Sequence, residues 1–180
     1  MNRWNQLGRQ YLRMGRELVM PDAAYASVEM IPLGALAERG YDTLLLDVDN
    51  TLLTRRQRYM SLQKSTWIEQ VKKQGFRVFL VSNNSSKKRV CLLCDQVQVM
   101  GTFFSLKPFT FSIRSLAHKY GFDPRRSVVG GDQILTDVVA GNWVGAYTVW
   151  VEPIDRRLSL LKTIQRDFET HLLRFFDTFK

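Results

Sequence analysis

The sequence predicts an α/β fold, with a doubly wound, mainly parallel five-stranded sheet and helices on both faces. From residue 42 onward, short β-rich runs alternate with longer segments of helical pattern. Strands that alternate with helices pair in parallel, because each crossover helix returns the chain to the same end of the sheet. The chain has 180 residues, of which 45% are hydrophobic, as expected for one globular domain.

The predicted elements follow one another in a regular order. Strands are predicted for TLLLDVD (43–49), FRVFLVS (76–82), TFFSL (102–106), RSVVGGD (126–132) and AYTVWV (146–151). Helices are predicted over 63–75, 85–97, 108–121 and, as a short one, 136–142. The third of these opens with Pro108 and closes at Gly121, which suits a helix start and a helix end. These elements divide the chain into a lead-in (1–40), a main domain (41–152) and a tail (153–180).

Polar side chains follow the predicted strands where each strand ends. Asp47 and Asp49 close the first, SNN at 82–84 the second, Lys107 the third and Asp132 the fourth. Ligands of such sheets bind beyond the carboxyl ends of the strands, so these residues are expected at one edge. Four consecutive elements therefore deliver polar groups to the same place.

Asp47 and Asp49 lie two positions apart in an otherwise apolar run. Residues at i and i+2 of a strand point the same way, and two carboxylates repel by about 4 kcal/mol at about 4 Å and an effective dielectric of about 20. A cation must offset this repulsion, and Mg²⁺ suits carboxylates combined with water and a substrate phosphate. Asp132 and Asp137 supply further acids.

Two more groups suit a phosphorylated ligand. Lys107 can neutralise a phosphate and a carboxylate together, and the Ser82 hydroxyl with the backbone N–H groups after it precedes a predicted helix, where anions bind. An aspartyl nucleophile, a second acid, a metal, a lysine and hydrogen-bond donors are the parts that phosphoryl transfer requires.

The motifs DVDNTLL, SNN, KP and GDQILTD, in this order, resemble the four motifs of the haloacid dehalogenase (HAD) superfamily of phosphohydrolases. The closer resemblance is to its class IIIA phosphatases, the group that contains phosphatidylglycerophosphate phosphatases. GDQILTDVVAGNWVG is particularly similar to that group. The resemblance runs from LVMPDAAYASV to VWVEP, and it makes 41–152 a HAD-like catalytic domain.

The resemblance implies a role for each strand-end residue. Asp47 would be the nucleophile that forms an aspartyl-phosphate, and Asp49 the general acid and then the base. Ser82 would hold the phosphoryl group with Asn83 beside it, and Lys107 would stabilise the nucleophile and the phosphate.

The metal site follows from the same resemblance. Asp132 would complete a magnesium shell with the Asp47 side chain and the Asp49 backbone carbonyl. Asp137 would support that shell, and Thr51 would brace the turn after the nucleophile.

The spacing of the motifs excludes a cap domain. About 32 residues separate Asp49 from Ser82 and about 24 separate Ser82 from Lys107, so one helix fills each gap. An open site accepts a phosphate on a large or membrane-embedded molecule.

Basic residues dominate the surface charge. The net charge is +9, which indicates anionic partners without choosing among them. Arg55, Arg56 and Arg58 follow the nucleophile directly, and they either line a substrate entrance or form a solvated loop.

The N-terminal segment has an apolar stripe flanked by positive charge. The stripe comprises Trp4, Leu7, Tyr11, Met14 and Leu18, and the arginines are Arg3, Arg9, Arg13 and Arg16. Such a helix either lies in a membrane interface or packs on its own domain or a second copy. The aromatic tail HLLRFFDTFK has the same alternatives.

These features predict a cytoplasmic protein, peripheral at the inner face of a membrane if its partner is lipid. Two cysteines indicate a reducing compartment, and the N-terminus lacks the apolar core of a signal peptide. The implied substrate is phosphatidylglycerophosphate. The alternatives are a soluble sugar or nucleotide phosphate, a nucleic-acid end or a phosphoprotein, and a non-enzymatic basic module that binds nucleic acid.

Overall fold

A six-stranded, fully parallel sheet forms the centre of the molecule. The computed structural model describes residue 15 and residues 17–155. Its strands are β1 (Ala23–Tyr25), β2 (Thr43–Leu46), β3 (Arg77–Val81), β4 (Met100–Thr102), β5 (Ser127–Gly131) and β6 (Tyr147–Val151). The order across the sheet is β1-β6-β5-β2-β3-β4.

The helices connect successive strands. They are α1 (Leu33–Glu38), α2 (Leu62–Lys73), α3 (Lys87–Val97), α4 (Phe111–Tyr120) and α5 (Val139–Val144). Short 3-10 turns lie at Val28–Met30 and Pro124–Arg126, and a π-helical turn at Ile134–Val138 leads directly into α5. Serine caps fix the starts of two helices, because Ser61 accepts from the Lys64 amide before α2 and Ser86 accepts from the Arg89 amide before α3.

Each face of the sheet is covered by helices, which confirms the doubly wound fold. Along β2, Leu44 and Leu46 belong to one apolar core, which also contains Ile68 of α2 and Leu93 of α3. Leu45 points to the other face and belongs to a second core with α4 and α5. The alternation follows from the two-residue period of a strand. A strand buried on both faces is a continuous apolar run, as TLLL is.

The sheet has six strands where the sequence predicted five. The additional strand, β1, has three residues and pairs with the edge of β6. Its sequence AAY is too short to form a recognisable apolar run, so no local pattern predicted it. Residues 23–38 accordingly pack on the same sheet as the main domain, since β1 is a strand of it and Leu36 of α1 lies in the first core.

Among the element boundaries that differ from the prediction, three bear on the site. The short strand predicted over 102–106 lies at Met100–Thr102, and the helix predicted to open with Pro108 begins at Phe111. The residues between them form a loop that contains Lys107. The side chain of Asn83 makes hydrogen bonds to the backbone of Lys107. The first long strand ends at Leu46, so Asp47 lies just beyond the sheet.

The connections between Asp49 and Ser82 and between Ser82 and Lys107 contain α2 and α3 and no cap domain, as predicted. The apolar stripe at Trp4, Leu7, Tyr11 and Met14 and the tail from residue 156 lie outside the described residues. Leu18, the last member of the stripe, packs on the cluster formed by Val19, Ile134, Val138 and Val139. Within the described ranges no helix has the length and apolarity needed to span a membrane.

Candidate active site

Asp47 is oriented by a buried lysine. Its backbone N–H donates to the Gly130 carbonyl at 2.9 Å, which extends the β2–β5 pairing by one residue beyond the strand. The Lys107 Nζ donates to Asp47 Oδ1 at 2.8 Å and to the Val81 carbonyl at 2.6 Å. Burial alone would lower the pKa of Lys107, but the charges of Asp137 and Asp47 outweigh burial and hold that pKa above its usual range. Lys107 is therefore a fixed cation beside Asp47.

Three carboxylates form a compact buried cluster. Oxygen atoms of Asp47, Asp132 and Asp137 all lie within 4.8 Å of one another. The Thr51 hydroxyl donates to Asp47 Oδ2 at 3.1 Å, and Asp137 Oδ1 lies 2.6 Å from Lys107 Nζ. The Gln133 N–H donates to Asp137 Oδ2 at 3.1 Å. These contacts place the cluster at the carboxyl edge of β2 and β5, as the strand-end rule predicts.

The cluster fits a divalent cation. The three carboxylates offer several oxygen atoms at close range, and Lys107 pairs with two of them, Asp47 and Asp137. Burial raises the pKa of Asp137 to about 6, assisted by the charge of Asp47 and opposed by Lys107. The raised pKa shows that burial disfavours the charged form of this carboxyl, a cost that a bound cation would reduce. Hard oxygen ligands of this kind suit divalent metals.

Asp49 lies apart from this cluster and has its own cation. The Asn84 Nδ2 donates to Asp49 Oδ2 at 2.7 Å, and the Arg89 Nη2 donates to Asp49 Oδ1 at 3.1 Å. The prediction that one metal ion offsets the repulsion of Asp47 and Asp49 is therefore incomplete, because the chain supplies Lys107 for the first and Arg89 for the second. The Asp49 side chain is held away from the metal cluster, while its backbone carbonyl stays a predicted ligand.

No role for Asn84 or Arg89 followed from the sequence. Arg89 also donates to the backbone carbonyls of Thr54 and Gln57, so it joins the start of α3 to the loop after the nucleophile. Lys87, Lys88 and Arg89 are consecutive basic residues, and their sequence alone does not tell which one turns inward. The Ser86 cap sets the phase of α3, and this phase places Arg89 against Asp49.

Ser82 lies at the same edge, immediately after β3. Its side chain is buried, and its hydroxyl accepts from the Asn84 N–H at 3.1 Å. The Val81 carbonyl, one residue earlier, accepts from Lys107, so Ser82 adjoins the lysine and Asp47. This position suits the predicted contact with a phosphoryl group.

The side chain of Asn83 is bound to the backbone of Lys107. Its Oδ1 accepts from the Lys107 N–H at 2.8 Å and its Nδ2 donates to the Lys107 carbonyl at 3.0 Å. Both ends of the amide are engaged, and the predicted contact of Asn83 with a phosphate stays a prediction. Asn83 therefore positions the backbone of Lys107.

Arg55, Arg56 and Arg58 lie on an exposed loop at the border of the site. This loop follows Thr54, whose carbonyl accepts from Arg89, so it adjoins Asp49 through that arginine. The guanidinium of Arg58 lies 5.5 Å from the ring centre of Tyr59. The three arginines are exposed and do not belong to the carboxylate cluster, and their place at a substrate entrance stays a prediction.

Comparisons with known proteins agree with this site. Residues 106–157 match a family described as HAD-hydrolase-like. The probable phosphatase YqeG of Bacillus subtilis (strain 168) is 28% identical over 160 residues, which are 89% of this chain and 92% of that protein.

Two solved structures show the same fold. The cobalt-bound deoxy-D-mannose-octulosonate 8-phosphate phosphatase YrbI of Haemophilus influenzae superposes with a TM-score of 0.52 at 11% identity, covering 76% of this chain and 89% of that one. An uncharacterised protein of Listeria monocytogenes serotype 4b gives 0.52 at 16% identity, covering 76% and 99%.

The parallel sheet and the order of the site residues along it agree with the HAD-hydrolase-like family that residues 106–157 match. The chain is a phosphatase, as its similarity to YqeG over most of both chains supports.

Proposed function

We propose that the protein is a magnesium-dependent phosphomonoesterase that acts through an aspartyl-phosphate on Asp47. One observation carries this proposal: the Asp47 carboxylate is buried between Lys107 and Thr51, beside Asp132 and Asp137. A carboxylate held by two donors at a strand end is oriented to attack a phosphorus atom placed beyond that edge.

The chemistry then proceeds in two steps. An oxygen of Asp47 attacks the phosphorus, the ester P–O bond breaks, and protonated Asp49 gives its proton to the departing alcohol oxygen. Ionised Asp49 next takes a proton from water, whose oxygen attacks the phosphorus. The bond between Asp47 and phosphorus breaks, which releases inorganic phosphate and restores both carboxyl groups.

The remaining site residues would neutralise the charge of the phosphate or position the two reacting carboxyl groups. Lys107 and the Ser82 hydroxyl lie where they can contact the oxygens of a phosphoryl group. Mg²⁺, held by Asp47, Asp132 and the Asp49 carbonyl with support from Asp137, would neutralise negative charge on the phosphate. Asn84 and Arg89 keep Asp49 separate from that cluster, so it is reserved for proton transfer.

We propose phosphatidylglycerophosphate as the substrate, which gives phosphatidylglycerol. The class IIIA resemblance, the absence of a cap domain between the described motifs and the basic loop at Arg55, Arg56 and Arg58 support a large anionic substrate. The protein would then work in the cytoplasm, peripheral at the inner face of a membrane. A binding module for nucleic acid is disfavoured, because it has no need for a buried carboxylate cluster.

The test is phosphate release by the full chain with magnesium. Phosphatidylglycerophosphate in mixed micelles is compared with soluble sugar phosphates, nucleotides, a 3′-phosphorylated oligonucleotide and a phosphopeptide. We expect the lipid to have the highest kcat/KM. A higher kcat/KM for any soluble ester would overturn the lipid assignment and leave the chemistry in place.

Two controls test the mechanism. Asp47→Asn should abolish turnover on every substrate, whereas Asp42→Asn, which removes a carboxylate paired with Arg77 and Arg126 just before β2, should not change kcat. Chelation by EDTA should abolish activity and magnesium should restore it. Turnover by Asp47→Asn, or full activity in EDTA, contradicts the mechanism.

A further inference from the structure

We propose that the mouth of the active site is a docking surface for an anionic lipid bilayer. The surface has two parts. The apolar rim is the segment 103–111, which comprises the loop before α4 and the first residue of that helix. The basic rim comprises Arg55, Arg56, Arg58, Lys87 and Lys88. This inference rests on the proposed function and adds the way in which the enzyme meets a membrane-borne substrate.

In the apolar rim two polar side chains are buried and the large apolar side chains are exposed. Ser105 and Lys107 point inward, and Ser105 is only 1% exposed. Phe104 is 56% exposed and Phe109 67% exposed, and Leu106 is also exposed. Phe103 and Phe111 extend the exposed set at the two ends of the segment. A loop usually turns polar side chains to water, so an apolar cluster this dense marks an interaction site.

The backbone holds these side chains outward. Phe104 has φ +49° and Leu106 has φ +55°, a left-handed conformation that bulky residues rarely adopt. Between them, Ser105 is fixed at two points, because its N–H donates to the Ser82 carbonyl at 2.9 Å and its carbonyl accepts from the Ser112 hydroxyl at 2.8 Å. The two apolar side chains are therefore displayed by a fixed loop.

The apolar and basic rims surround the same opening. The apolar rim contains Lys107, and its Phe104 N–H donates to the Asn84 carbonyl at 2.9 Å. Arg89 ties the loop of Arg55, Arg56 and Arg58 to the first turn of α3, where Lys87 and Lys88 lie. The Lys87 Nζ lies 6.0 Å from the ring centre of Phe103, so the two rims are in contact.

This combination matches an anionic bilayer better than other occupants. Apolar side chains bury at the boundary of the acyl chains, while arginine and lysine remain at the level of the headgroups. Each basic residue near such a surface contributes attraction to anionic lipid. A second copy of the chain would bring a second basic rim, which repels the first, and a nucleic acid would leave the exposed phenylalanines unburied.

Docking in this orientation directs the strand edge at the headgroup layer. A phosphomonoester carried by a lipid would then reach Asp47 without leaving the membrane surface. Only the phosphate and its nearest atoms would need to enter the opening, which agrees with the absence of a cap domain between the described motifs.

Sedimentation of the full chain with vesicles tests the proposal. Vesicles of phosphatidylcholine alone are compared with vesicles that also contain phosphatidylserine, which is neither proposed substrate nor product. We expect binding to the mixed vesicles, weakened by salt, and about tenfold weaker binding for the double variant Phe104→Ser/Phe109→Ser. Trp143→Ser is the matched control, since Trp143 is also 56% exposed. Trp143 lies beside Arg125, which precedes the amino end of β5, whereas the proposed surface is at the carboxyl ends of the strands.

Activity separates a docking defect from a folding defect. The double variant should hydrolyse a soluble ester such as p-nitrophenyl phosphate at the wild-type rate and lose activity only on vesicle-borne substrate. Unchanged vesicle binding in the double variant overturns the docking surface, as does an equal loss in Trp143→Ser. The oligomeric state without vesicles gives a further test. If the wild type is a dimer and the double variant is a monomer, the surface binds a second copy of the chain and the proposal of a bilayer is overturned. If no ester is hydrolysed, the proposed function fails while the vesicle result still decides the docking.

Discussion

The Nη2 of Arg89 lies 3.1 Å from Oδ1 of Asp49, and the same guanidinium donates to the backbone of Thr54 and Gln57. One side chain therefore fixes both the predicted general acid and the loop that follows the nucleophile. Asp49 and Arg89 are both largely buried, so the pair is weakly screened by solvent.

Replacing Arg89 by lysine should slow the chemical step. A lysine keeps the charge but cannot reach Asp49 and two carbonyls together, because it lacks the planar fork of arginine. We expect kcat on a soluble ester to fall about 10–100-fold with little change in KM. Arg114→Lys, which changes an exposed residue of α4, should match wild type. A kcat of Arg89→Lys equal to that of the wild type would contradict the positioning role of Arg89.

Gly131→Ala should damage the acidic cluster. A Cβ at this position would lie 2.2 Å from Asp137 Oδ2 and 2.3 Å from its Cγ, so the buried carboxylate must move. Overpacking of this kind costs about 1–3 kcal/mol in the free energy of unfolding, and we expect activity to fall with it. Urea unfolding and phosphate release measure the two effects.

The matched control for this change is Gly34→Ala in α1. A Cβ there meets no atom within 4 Å, and alanine favours a helix. This variant should equal or exceed wild type in stability and keep full activity. Equal stability of the two alanine variants would contradict the close approach of Gly131 and Asp137.

The ion pair of Glu29 and Lys64 should stabilise the protein only above acidic pH. Burial alone would raise the pKa of Glu29, but hydrogen bonds from Lys64, its own backbone and Ser27, with the charge of Lys64, hold it below the usual 4.5. A carboxyl with a lowered pKa contributes stability above its unfolded pKa, and this contribution is lost as pH falls through the folded value.

Lys64→Met tests this dependence. After screening by solvent we expect the variant to be less stable by about 0.5–1 kcal/mol at about pH 7, and the difference to shrink towards about pH 3.5. Urea unfolding at both pH values measures the difference. A constant difference across this range would mean that Lys64 acts through the packing of its carbon chain.

The two cysteines should differ in reactivity. Burial, with the nearby Cys91 and Asp95, raises the pKa of the Cys94 thiol to about 11, whereas Cys91 is exposed. The thiolate is the reactive form, so a disulfide reagent at about pH 8 should modify one thiol quickly. Cys91→Ser should remove the fast phase and Cys94→Ser should keep it. Two fast thiols in the native protein would contradict the burial of Cys94.

The sequence predicted the centre of the fold and most of the site for one physical reason. Buried parallel strands are continuous apolar runs, and the polar residues that interrupt them must lie at strand ends, as Asp47, Ser82 and Asp132 do. Their order along the chain therefore predicted their proximity in space.

The residues that the sequence did not predict depend on side-chain direction. Lys87, Lys88 and Arg89 are all basic, so the sequence does not distinguish them. Only Arg89 lies on the side of the helix that reaches Asp49. Asn83 is one residue from Ser82, yet its amide turns to the Lys107 backbone. β1 forms because it pairs with β6, and a pattern within three residues cannot predict a pairing with a distant strand.

Both outer strands of the sheet, β1 and β4, are only three residues long. An exposed strand edge is a template on which other chains add further strands, and the number of backbone groups that it offers grows with its length. The four longer strands thus lie in the interior of the sheet, between edges too short to nucleate an aggregate. The same arrangement that brings the carboxylate cluster to the middle of the sheet gives the folded enzyme protection against edge-to-edge polymerisation.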